Sequence, residues 1–168
     1  MIAAFDLTSP GSRLAHIVLE GEALSRLSPL LEADRAQAVA DLEADNRFLP
    51  EAGGPGPFGL RLSIQEGRLV FDVRSEDDVR LRTIVLALGP FRGLIRDYQM
   101  LVDSHIIAVA EGREARIQAI DMGRRGLHNE GADLLVARLA GKVAIDFATA
   151  RRLFTLICVL HHRVSSGP

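Results

Sequence analysis

The residues best suited to chemistry lie together in Ile120-Asp121-Met122-Gly123-Arg124-Arg125-Gly126-Leu127-His128-Asn129-Glu130-Gly131. This stretch brings together two arginines, a histidine, an asparagine and two carboxylates, spaced by three glycines. Guanidinium forks match the oxygens of carboxylate and phosphate. An imidazole of ordinary pKa suits proton transfer near neutrality. Glycine permits positive φ and close backbone approach.

Two geometries are open to the stretch. In an unbroken helix Asp121, Arg124, Arg125 and His128 share one face. Two glycines within four residues oppose that, at about 1 kcal/mol each against alanine. The expected form is therefore broken: Gly123 closes one helix, Arg124 to Leu127 turn, and Asn129 caps the next helix, with Glu130 and Asp133 in its first turn. Arginines beside a helix N-terminus then make an anion site. Arg92 and Arg96 after Pro90, and Arg151-Arg152 after Asp146, repeat the pattern of cations at a helix start. Such cations are disfavoured by the helix dipole unless an anion is near. Asp97, Asp121, Glu130 and Asp146 are available as internal partners instead.

Other motifs fail on context. His128-Asn129-Glu130 spells the H-x-E of zinc deaminases, but the required P-C-x-x-C is absent and Cys158 is the single cysteine. Gly54, Gly56 and Gly59 satisfy G-x-G-x-x-G, yet prolines interrupt it and a strand follows, so no dinucleotide fold is implied. No nucleophile elbow, Walker loop, H-E-x-x-H or EF-hand pattern occurs. His161 and His162 are adjacent on a helix and point about 100° apart, a poor chelate. No metal or cofactor is expected.

The positioning elements follow from periodicity. Arg13 to Glu20 alternates as a strand, with His16 at its edge. Ser28-Pro29 opens a helix with an inward stripe of Leu31, Ala38, Val39 and Leu42 and a solvated face of Glu32, Asp34, Arg35 and Glu43. Leu49 to Pro57 is expected as a loop. Leu60, Leu62 and Ile64, then Leu69, Phe71 and Val73, fold about Glu66-Gly67 into a hairpin that pairs Ile64 with Leu69, Leu62 with Phe71 and Leu60 with Val73. Val79 to Leu88 adds a third strand. A long helix from Pro90 carries Phe91, Leu94, Ile95, Tyr98, Leu101, Val102, His105, Ile106 and Val109, and is expected to cover the apolar sheet face. Helices over Arg113 to Met122 and Asp133 to Ala140 flank the glycine-spaced stretch. Val143 to Ile145 is extended. Asp146 caps a last helix, Phe147 to His162, apolar nearly all round from Leu153 to Leu160 and so expected in the middle.

The chain has 168 residues, 48% hydrophobic and 25% charged, which fits one soluble α+β domain: an antiparallel β-meander with an additional strand, packed on one face by several helices. Residues 1–11 read as a flexible extension, 12–163 as the domain and 164–168 as a flexible tail. The net charge of −2, no Trp and one Tyr give neither a general pull on nucleic acid nor stacking platforms. No apolar run reaches the ~20 residues needed to cross a bilayer, and no secretory signal pattern is present, so a cytoplasmic protein is expected. Of 20 basic residues only Lys142 is lysine, a bias that a GC-rich genome also produces.

Ile117 to Gly131 closely resembles the signature of a bacterial group known as uncharacterised protein family 0262 of the UPF series. Gly141-Lys142, Thr149-Ala150-Arg151-Arg152-Leu153-Phe154-Thr155-Leu156, Cys158-Val159-Leu160-His161, Arg68 to Arg74 and Pro90-Phe91-Arg92 fit it too. The likeness runs from about Arg13 to Arg163. It implies a small bacterial cytosolic protein and carries over no catalytic residue.

Three functions suit these residues. The first is a binding or regulatory protein for a small phosphate or carboxylate ligand, held by Arg124, Arg125, Asn129, Arg92, Arg151 and Arg152. The second is an enzyme on such a substrate, with His128 as general acid or base oriented by Glu130 or Asp121. The third is an interaction subunit of a homo-oligomer.

Overall fold

The computed structural model describes residues 6–20, 28–51 and 53–165. The elements run β1 (Leu14–Leu19), α1 (Pro29–Ala44), β2 (Phe48–Pro50), β3 (Phe58–Gln65), β4 (Arg68–Ser75), β5 (Arg80–Ala87), α2 (Arg92–Ala110), α3 (Glu114–Leu139), β6 (Val143–Ile145) and α4 (Phe147–Ser165). The fold class is α+β.

Strict alternation of apolar residues sets the hairpin register. Ile64 lies opposite Leu69, Leu62 opposite Phe71 and Leu60 opposite Val73, so the buried apolar side chains of β3 and β4 share one face. β5 continues the meander antiparallel to β4, with Ile84 facing Phe71 and Leu86 facing Leu69. β1 joins β3 as a parallel fourth strand, giving the order β1-β3-β4-β5. Parallel neighbours need a crossover, and α1 lies within it. β1 is an edge strand, and His16 is exposed on it.

The all-round apolar helix is the core of the molecule. Every residue from Leu153 to Leu160 of α4 is buried, and α4 packs against α1, α2, α3 and β3. It therefore takes the place against the sheet that the sequence assigned to α2. α2 packs chiefly on α3, with Ile95, Tyr98 and Val102 buried and Phe91 buried just before its first residue, while Ile106 and Val109, at the far end of the same stripe, are exposed. A helical stripe shows which face is apolar but not which neighbour covers it, nor how far along. Asp146 caps α4 by accepting the N–H of Thr149 at 2.9 Å, and Ser28 caps α1 by accepting that of Leu31. Gly112 and Gly141 adopt φ of 66° and 79° beyond the ends of α2 and α3.

The expected loop from Leu49 begins inside a small second sheet. β2 pairs antiparallel with β6, Phe48 opposite Ile145 and Pro50 opposite Val143. Three residues are too few to show a period. Of the expected N-terminal extension, residues 1–5 lie outside the described residues. Asp6 to Gly11 form turns held by Thr8 and Ser12 donating to Asp6. α4 carries helical backbone to Ser165, and 166–168 lie outside the described residues. Among the described residues, no helix is long and apolar enough to cross a membrane.

Candidate functional site: an arginine cleft between three helices

The glycine-spaced stretch is not broken. Residues 114–139 form one helix of 26 residues, and Gly123, Gly126 and Gly131 all sit inside it with negative φ. Tertiary packing accounts for this. A Cβ on Gly131 would lie 2.2 Å from the Phe154 ring, so this glycine lets α3 and α4 approach closely. A Cβ on Gly123 would lie 3.3 Å from Leu101, where α2 crosses α3. The helix contacts so permitted outweigh a propensity loss of about 1 kcal/mol per glycine. With no break there is no helix N-terminus at Asn129. That residue caps nothing, and its amide oxygen accepts from Nε of Arg151 at 2.9 Å.

An unbroken α3 aligns Asp121, Arg124, Arg125 and His128 along one side. α4 passes beside it and contributes Arg151, Arg152 and Thr155, while α1 contributes Asp34, Gln37 and Asp41. Together these groups, Asp121 excepted, line a cleft of about 330 Å³. Two of the three arginine clusters thus meet. The third does not: Arg92 and Arg96 line a separate groove of about 530 Å³ with Gln99, His161 and His162. His162 contacts the Gln99 amide oxygen through Nδ1 at 2.7 Å.

Asp34 organises the cleft floor, although its position on the polar face of α1 suggested a solvated residue. Its side chain is 10% exposed and accepts from Arg124 Nη1 at 2.5 Å and from the Tyr98 hydroxyl. Arg124 also reaches Asp121 at 3.0 Å. Burial opposes the charge on Arg124, but Asp34 and Asp121 outweigh it and hold its pKa above the usual value. Burial first, then the negative charge of Asp34, pushes the Tyr98 phenol up, so it remains a donor. Arg152 faces Asp41 at 3.4 Å. The residue missed in the sequence was Asp34, whose partners Tyr98 and Arg124 lie 64 and 90 residues further along the chain.

Arg125 and Arg151 differ from these pairs. Among the described residues neither has a carboxylate within ion-pair distance. Burial, then the neighbouring Arg152, Arg125 and Arg124, lowers the pKa of Arg151, with Asp34 offsetting only part.

His128 is 4% exposed, its ring stands 5.3 Å from that of Tyr98, and its Nε2 has no hydrogen-bond partner. Burial, followed by Arg151 and Arg124, lowers its pKa to about 3, so the imidazole is neutral at physiological pH. The residues expected to orient it are elsewhere. Glu130 is exposed and two positions on, pointing to the other side of α3. Asp121 lies two helical turns away, about 10 Å along the axis, and is held by Arg124. The acid–base arrangement of His128 with Glu130 or Asp121 is not assembled in this geometry.

The histidine makes stability depend on pH. Its folded pKa is below the unfolded value, so between pH 6.5 and about 3 the unfolded chain binds a proton that the folded one refuses. Stability conferred by the neutral ring is full above pH 6.5 and declines on acidification by up to about 1.4 kcal/mol per pH unit. Urea unfolding at pH 7 and pH 5 should show a steeper loss in the wild type than in His128→Asn. Equal slopes would show that His128 titrates normally.

Among the described residues, no group of three or more His, Cys, Asp or Glu is placed to hold a metal ion.

Comparison with known proteins places the chain. A model described as an uncharacterised protein family, UPF0262, matches residues 11–163. A UPF0262 protein of Granulibacter bethesdensis is 62% identical, over 98% of this chain and all of the relative. One of Acidiphilium cryptum is 66% identical over 90% of this chain and 93% of its own. One of Maricaulis maris is 46% identical over 95% of this chain and all of its own. No solved structure matches significantly. With the family model spanning nearly the whole chain and full-length relatives at this identity, the chain belongs to the uncharacterised protein family UPF0262.

Proposed function

We propose that the protein binds a small anionic ligand in the cleft between α1, α3 and α4, and acts as a binding or regulatory protein rather than through chemistry at His128. One observation carries this reading. Arg125 and Arg151 face the same partly buried cleft without a carboxylate partner, and burial, followed by the neighbouring guanidiniums, disfavours the charge of Arg151. Arg124 and Arg152 are already engaged by Asp34, Asp121 and Asp41, so the cleft holds more positive charge than its own side chains neutralise. Like charges brought together on two helices cost stability, and an anion offsets that cost. A neutral imidazole of such low proton affinity is a poor general base near pH 7, which favours binding over catalysis.

Thermal unfolding tests the reading. Phosphate at about 100 times its dissociation constant should add about 2.7 kcal/mol, which raises Tm by roughly 5–10 °C in a chain of this size. Arg151→Met should unfold at a higher temperature than wild type without phosphate at low ionic strength, since it removes a disfavoured charge. It should gain less when phosphate is added. A variant less stable than wild type, with an unchanged phosphate response, would contradict an anion site at Arg151.

A further inference from the structure

We propose that the ligand of this cleft is a phosphoryl dianion, carried by a small phosphomonoester or by free phosphate, held jointly by Arg125, Arg151 and the Nε2–H of a neutral His128. The proposal rests on the anion-site reading and narrows it.

Geometry separates phosphoryl from carboxylate. At the cleft the guanidiniums of Arg125 and Arg151 have no carboxylate partner among the described residues, Arg151 bonding to the Asn129 amide through Nε, and the buried Nε2 of His128 has no hydrogen bond. A carboxylate has two coplanar oxygens, and one guanidinium fork satisfies both. It would leave the second arginine and the imidazole unmatched. A phosphoryl group presents three terminal oxygens in a tetrahedral arrangement, one for each donor. Two unpaired guanidiniums also match a dianion in charge. The cleft, about 330 Å³, sits at the low end of ligand-site volumes and suits a small phosphoester better than a dinucleotide.

The state of the ring follows from its burial and the charges around it. α1 presents Asp34 and Asp41, α2 presents Tyr98, α3 presents Arg124 and Arg125, and α4 presents Arg151 and Arg152. Asp34 is occupied by Arg124 and Tyr98, and Asp41 by Arg152. His128, disfavoured as a cation by burial first and by Arg151 and Arg124 second, stays neutral. Tyr98 directs its hydroxyl to Asp34 and cannot serve the ligand. In the tautomer that carries its proton on Nε2, the neutral ring donates to a phosphoryl oxygen and takes no proton from solvent.

Isothermal calorimetry at pH 8, where the probes are already dianionic, tests this with inorganic phosphate, methyl phosphate, acetate and succinate. Each titration is run in two buffers of different ionisation enthalpy. Expected are no net proton uptake with either phosphate probe, and at least about tenfold weaker binding of the carboxylates. His128→Asn should bind phosphate about tenfold more weakly. The wild-type His128 ring resonances report its tautomer and its contact with the ligand directly, independently of how the variant folds. Carboxylates binding as well as phosphate, or phosphate binding that leaves the His128 ring resonances unmoved, would overturn the proposal while leaving an anion site. No binding by any probe would overturn the anion site itself.

Discussion

Asp34→Ala is expected to lower the unfolding free energy by about 3–5 kcal/mol, the range for removing one partner of a buried ion pair. The size follows from what is left behind. Arg124, with 15% of its side chain exposed, keeps only the more exposed Asp121, and the Tyr98 hydroxyl, in a residue 1% exposed, loses its acceptor. An orphaned buried hydroxyl alone costs about 1–3 kcal/mol, and the two losses overlap because they share one carboxylate. Asp41→Ala is the control. It removes a carboxylate from the same helix and the same cleft, but its pair with Arg152 is about one-third exposed on both sides. That substitution should cost no more than about 1 kcal/mol. Urea denaturation of both variants decides the point. Equal small losses would mean that Asp34 is the solvated residue its helical position suggests.

The second large effect is a pair of opposite sign on one helix. Gly131→Ala puts a methyl 2.2 Å from Phe154, whose ring is fully buried and stacked on Phe91 at 6.4 Å. Neither α3 nor α4 yields cheaply there, because α4 is packed on every side. Overpacking costs about 1–3 kcal/mol or more, and a helix-propensity gain of about 1 kcal/mol offsets part of it. A net loss of roughly 1–3 kcal/mol is expected. Gly126→Ala, five residues earlier, meets open space at negative φ, and should gain about 0.5–1 kcal/mol. A stretch broken at Gly126 would reverse that second sign. Thermal or chemical unfolding of the two variants therefore tests the continuity of α3 as well as its packing.

These residues also mark where the sequence was legible. The β3–β4 register was readable because a period of two with one buried face permits a single pairing. The central place of α4 was readable because a helix apolar on all sides has nowhere else to go. The glycines of α3 were misread because their reason lies in Phe154 and Leu101, which propensity does not see. Asp34 was misread for the same kind of reason: its partners Tyr98 and Arg124 come from two other helices. At the cleft, the residue types were legible and their company was not. Arg124, Arg125, Arg151, Arg152 and His128 meet there, whereas Arg92 lies on the other groove and Asn129 serves Arg151. The helix-terminus geometry that first suggested an anion site is absent, and a surplus of guanidinium charge stands in its place.

The most direct measurement is a phosphate titration followed by amide and guanidinium NMR, comparing wild type with Arg125→Met/Arg151→Met. In the wild type, saturable shifts are expected at Arg125, His128, Arg151 and Thr155, with Arg92 and Arg96 unmoved. The double variant should be folded and lose these shifts. Shifts that are unsaturable, spread evenly over the surface arginines, or retained in the double variant would contradict a ligand site in this cleft.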